Sequence, residues 1–168
     1  DDASPSISSI GRKNGTTAGV TSVTLTSSAE NTETITFTVN VSDNVGVTGV
    51  TLPGTTAVSN TATKYVFSKA YAFANYSFGS VTDTLTATAT DAAGNSSTLS
   101  TSITVIKSDN VAPTISSLSA DSSTVALTSS AQNTETVTFT ATITDNVGIN
   151  SVSFGGLTPT ISGNNYTW

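Results

Sequence analysis

Thr34-Ile35-Thr36-Phe37-Thr38-Val39-Asn40-Val41-Ser42 alternates apolar and polar side chains almost without a break. Thr136-Val137-Thr138-Phe139-Thr140-Ala141-Thr142-Ile143-Thr144 does the same. A side-chain period of two puts the apolar residues on one face of a strand and the polar ones on the other. Each stretch therefore reads as an antiparallel strand with one side buried. Residues 84–90 and 102–105 carry the same pattern. Turn formers separate these runs: Asp43-Asn44-Val45-Gly46, Pro53-Gly54 and Asp91-Ala92-Ala93-Gly94-Asn95. Short alternating strands with such punctuation predict an all-β sandwich of two sheets. Strands are expected at 6–10, 34–42, 48–52, 84–90 and 100–106, with two more inside 64–78.

Composition agrees. Ser and Thr fill 62 of 168 positions, and charged residues make up only 10%. Thr and Val suit strands, whereas long helices want Ala, Leu, Glu, Lys and Arg. The chain has no Cys, Met or His, so it offers neither imidazole bases nor thiol nucleophiles, and catalysis is not expected. It has no disulfide to stabilise a small core. The formal net charge is −6 with five basic residues, which leaves no basic stripe for nucleic acid or anionic lipid. No apolar run nears the ~18 residues of a membrane span. The opening Asp1-Asp2-Ala3-Ser4-Pro5-Ser6 has no charged-then-apolar leader, as expected of a mature protein or an excerpt.

The two alternating runs belong to a longer repeat. Residues 23–54 and 125–156 align without a gap at an offset of 102, with 19 of 32 positions identical. Asp1-Asp2-Ala3-Ser4-Pro5 matches Asp109-Asn110-Val111-Ala112-Pro113 upstream. Between these anchors the first copy carries six extra residues around Gly11-Arg12-Lys13-Asn14-Gly15, a length change that implies a surface turn. A period near 105 residues is too long for a solenoid and matches one sandwich domain. The expected organisation is a complete module over 1–108 and the first half of a second over 109–168. That half module would be completed by further chain or by a neighbouring subunit.

Topology gathers the acidic and amide loops. In such a sandwich the start of the first strand and the loops after 34–42 and 84–90 share one end. They carry Asp1, Asp2, Asp43, Asn44, Asp91 and Asn95, and the matching groups of the second copy are Asp109, Asn110, Asp145 and Asn146. Calcium takes six to eight such oxygen ligands, so these ten residues form the candidate Ca2+ set, expected at the module junction. Asp, Asn and Gly are also ordinary turn formers that cap backbone amides, which is the competing reading.

Residues 85–115, LTATATDAAGNSSTLSTSITVIKSDNVAPTI, resemble cadherin-like and bacterial immunoglobulin-like repeats of large cell-surface adhesins. There a strand ends in a T-D-x-x-G loop, another strand follows, and the linker reads D-N-x-x-P. The likeness implies tandem immunoglobulin-like antiparallel sandwiches, with Asp91, Asp109, Asn110 and Asp145 as calcium ligands. It also departs from the family: the linker has Ile106 and Ser108 where acidic or amide residues are usual, and Asn44 and Val45 follow Asp43 where a second carboxylate is usual.

The resulting expectation is an extracellular stalk that displays an adhesive tip and has neighbouring modules as partners. Contacts with host or surface glycans would come through other regions. The alternatives are a filament or surface-layer subunit assembled by strand complementation, and a carbohydrate-binding module. The last would use the aromatic run Tyr65, Phe67, Tyr71, Phe73, Tyr76 and Phe78. Core filling is the simpler use of those rings.

Overall fold

A computed structural model describes residues 2–168. The chain divides into two compact units, the first ending at Asp109 and the second running Asn110–Trp168.

The first unit is built from β1 (Ser6–Asn14), β2 (Thr17–Ala18), β3 (Ser22–Thr26), β4 (Thr32–Ser42), β5 (Val47–Thr51), β6 (Thr56–Thr61), β7 (Lys64–Ala72), β8 (Gly79–Asp91) and β9 (Ser96–Ser108). One sheet has the order β2-β1-β4-β7-β6 and the other β3-β9-β8-β5. Both sheets send side chains into one core. Ile35, Phe37, Val39 and Val41 come from β4, and Leu85, Ala87 and Ala89 from β8. Val23 and Leu25 of β3 and Ile103 and Val105 of β9 close it, all at most 3% exposed. This is a β-sandwich arrangement, and the alternation in the sequence is its cause: the intervening Thr residues face outward. Each large side chain so buried contributes about 1.5–3 kcal/mol.

Several elements differ from the sequence reading. The second sheet is mixed, because β3 runs parallel to β9 with Val23 facing Val105 and Leu25 facing Lys107. Of the two strands expected inside 64–78, β7 lies there, whereas its antiparallel partner β6 lies earlier. All six β6 residues are exposed, so no apolar alternation marks that edge strand. Phe73–Asn75 form a 3-10 turn instead of a strand. The six extra residues of the first copy supply the expected surface turn at the far end of the 11–15 stretch, at Gly15 and Thr16. They prolong β1 to Asn14, and Gly15 at φ +53° opens the tight turn into β2.

The second unit contains β10 (Thr114–Ala120), β11 (Phe139–Thr144), β12 (Thr160–Ser162) and β13 (Asn165–Thr167), in the order β10-β11-β13-β12. Its register repeats the first unit. Thr114 faces Thr144 as Ser6 faces Ser42, and Ala141 faces Tyr166 as Val39 faces Tyr65. Its core is small: Ala141, Ile143 and Tyr166, with Ile149, Val152 and Trp168 packed against them.

Candidate cation-binding loops

Register fixes where the loops of the first unit lie. Ser6 faces Ser42, Val47 faces Asp91 and Thr90 faces Ser96. The segment before Ser6, the 43–46 loop and the 92–95 loop therefore share one end. Asn95 ties two of them together, donating from Nδ2 to the carbonyl of Ala3 at 3.3 Å. Asp2 is exposed at this end, as is Asn44. Asp1 lies outside the described residues.

Asp91 and Asp43 at this end are held differently. Asp91 is only 4% exposed. Its Oδ1 accepts from the Asn95 N–H and its Oδ2 from Asn95 Nδ2, both at 2.8 Å. The Asn95 side chain is the main cause holding the Asp91 carboxyl below its ordinary value. Backbone N–H groups of the loop add to it, and burial opposes it. Asp43 instead caps its own turn: Oδ2 accepts from the N–H groups of Val45 at 3.0 Å and Gly46 at 2.8 Å. Its Oδ1 is buried and has no hydrogen-bond partner.

The second copy reproduces this turn. Asp145 Oδ1 accepts from Val147 at 2.9 Å and Gly148 at 2.8 Å, and Oδ2 is buried without a partner. Because Thr114 faces Thr144, the segment from Asn110 and the 145–148 loop share one end of the second unit. Asn110 and Asn146 are exposed there.

Asp109 stands apart from the other candidates of the first unit. It follows Ser108, which faces Thr26, and Gly79 faces Lys107 at the same end. Ser27, 4% exposed, donates to Asp109 Oδ1 at 2.5 Å. The 13 residues of β9 separate this end from Asn95, a span of roughly 40 Å. Asp91 and Asp109 of one unit therefore cannot share an ion. Among the described residues, no group of three or more Asp or Glu side chains is placed to hold a metal ion.

All of the aromatic run but Phe78 lies in or against the core. Phe67 and Tyr71 are buried, Tyr65, Phe73 and Tyr76 pack against the same cluster, and Phe78 remains 47% exposed. Lys107 sits 3.8 Å from the Phe73 ring centroid and 4.8 Å from that of Phe78, and donates to the carbonyls of Phe73 and Tyr76. A cleft of about 410 Å³ opens between the edge strands β5 and β6. Tyr65 is its only titratable lining residue, beside Thr48, Val50, Ala57 and Phe67.

Two polar devices escaped the sequence reading. Lys69 and Tyr71, from one sheet, both donate to Oδ2 of Asp83, from the other, at 2.8 and 2.7 Å. The second device is a loop staple shared by the copies. Asn31 Oδ1 accepts from the Thr26 N–H, and Nδ2 donates to the Thr24 carbonyl and to Glu33 Oε1. Asn133 makes the same three bonds, to Thr128, Ala126 and Glu135. The identical run Asn-Thr-Glu at 31–33 and 133–135 was the available signal.

No protein-family model matches the chain, and no curated protein matches it.

Proposed function

We propose that the chain is a stretch of immunoglobulin-like repeat modules from an extracellular surface protein, and that its work is to span and display. The observation that carries this reading is the placement of the two ends of the first unit. The chain enters it at Ser6, beside the 43–46 loop, and leaves at Ser108, beside Thr26. A module with entry and exit at opposite ends gains length each time it is repeated, roughly 40 Å for strands of this size. The sequence repeats at that module's period. The surface suits the role: outward Thr and Ser give a hydrated, weakly charged exterior without free thiols. The residues of the chain bind and position, and none is cast as acid, base or nucleophile.

Calcium belongs to this proposal as a stiffener. Asp43 Oδ1 and Asp145 Oδ2 each bury an acceptor without a donor. Such an atom is costly unless something supplies the missing partner. A divalent cation does so, with Asp2, Asn44 and backbone carbonyls as further oxygens in the first unit, and Asn110 and Asn146 in the second. The scarcity of carboxylates predicts weak affinity, in the range suited to extracellular calcium.

Labelling of intact cells tests the surface role. Antibodies raised against the first unit should stain unpermeabilised cells of the source organism. Staining only after permeabilisation would exclude an extracellular stalk.

A further inference from the structure

Val23 and Leu25 are 3% and 0% exposed, whereas their counterparts Val125 and Leu127 are 49% and 67% exposed. Ile7 and Ile10 pack against the core of the first unit, whereas Ile115 and Leu118 are 66% and 58% exposed. The residue types are alike, and β10 pairs with β11 in the register of β1 on β4, so for Ile115 and Leu118 the difference lies in what covers them. In the first unit the answer is visible. β3 pairs along β9, and the β8–β9 hairpin places Leu85, Ala87, Ala89, Ile103 and Val105 over the opposite sheet.

The second unit keeps the frame for such a cover. Thr128 N–H donates to Asn133 Oδ1 and Asn133 Nδ2 to the Ala126 carbonyl, the bonds that hold the end of β3 in the first unit. Gln132 adopts φ +43°, as Glu30 adopts +46°. The loop that anchors this strand is thus in place, while residues 121–138 form no strand. A groove of about 280 Å³ runs between Val125 and Val137.

We propose that this open apolar face is a docking surface for a β-hairpin with the pattern of residues 79–108. The hairpin would pair in parallel with residues 124–128 and set small and branched apolar side chains over Ile115, Leu118, Val125 and Leu127. It belongs to a further repeat segment and not to the first unit of a second copy. The hairpin of a second copy is already committed: its inward residues are at most 3% exposed, and withdrawing it would open a face equal to the one it closed. This proposal rests on the comparison of the two units and is independent of the stalk reading and of calcium.

Main-chain register defines the test. Trp168 exchanges both hydrogen bonds with Phe139, as Phe67 faces Phe37, so a copy of residues 68–108 appended after Trp168 continues the strand in frame. Hydrogen exchange should slow by roughly 100-fold or more at Val125 and Leu127 in the extended protein relative to the 168-residue chain. Emission from Trp168, the sole tryptophan, should shift as its surroundings close. Appending the same segment with L85D, A87D and I103D in the copy should restore the fast exchange. Unchanged exchange with the intact segment, or equal protection from the substituted one, would overturn the proposal. Concentration-dependent protection of Val125 and Leu127 in the unextended chain, with a dimer in sedimentation, would overturn it in favour of a second copy.

Discussion

Tyr71 and Asp83 join the two sheets of the first unit through one short bond, phenol hydroxyl to Oδ2 at 2.7 Å. Tyr71 is fully buried, and Lys69 closes the same carboxylate oxygen at 2.8 Å. Removing the shared acceptor is worse than removing one donor, because it strands two polar groups. Asp83→Ala should cost about 1–3 kcal/mol and Tyr71→Phe about 0.5–1.5 kcal/mol. Urea unfolding monitored by circular dichroism gives both values.

The same bond sets an alkaline limit. Burial, first, and then the hydrogen bond and charge of Asp83 push the Tyr71 phenol well above its ordinary value near 10. The unfolded chain ionises at that ordinary value and the folded one does not. Stability is therefore intact below about pH 10 and falls as pH rises above it. Urea midpoints measured from pH 8 to 11 should show this fall, and Tyr71→Phe should flatten it.

Asp91 sets the acid limit, with the opposite sign. Its carboxyl titrates below its ordinary value because Asn95 donates to both oxygens. Its contribution is present above the ordinary carboxylate range and is lost as pH falls through the depressed folded value. Asn95→Ala should raise the Asp91 titration midpoint, read from its side-chain carbon in NMR. An unmoved midpoint would mean that the Asn95 side chain is not the main cause.

Asn31 holds its loop with three bonds, so Asn31→Ala should cost about 1–3 kcal/mol. Glu30 in the same loop pays for a left-handed backbone at φ +46°. Glu30→Gly should stabilise by about 0.5–1 kcal/mol, the strain relieved less the added freedom of the unfolded chain. Thermal melts of the two variants should therefore move in opposite directions.

These loops mark the limit of what alternation reveals. Strands β1, β4, β8 and β9 were legible because one face meets a core, and Val39 or Leu85 must alternate with Thr to satisfy it. β6 was not, since neither of its faces is buried. β3 shows Val23 and Leu25 in alternation, but its parallel pairing depends on β9, about 80 residues away. The turn roles of Asp43 and Asp145 were readable from Asp-Asn-Val-Gly alone. The sequence reading put Asp91 with the loops of the first copy and Asp109 with those of the second, and the distance between them follows from the length and direction of β9.

Calcium has its own signature in the stalk proposal. The melting midpoint should rise by several degrees in millimolar calcium relative to chelator, and Asp43→Asn should remove part of the rise. Equal midpoints with and without the ion would leave the buried oxygens of Asp43 and Asp145 as features of the turns alone.

Spacing is the central claim, and small-angle X-ray scattering on two, three and four tandem copies of residues 1–109 tests it most directly. End-to-end modules predict a maximum dimension that grows by roughly 40 Å with each added copy. A radius of gyration that instead grows as about the 0.38 power of chain length, as in a compact globule, would contradict it.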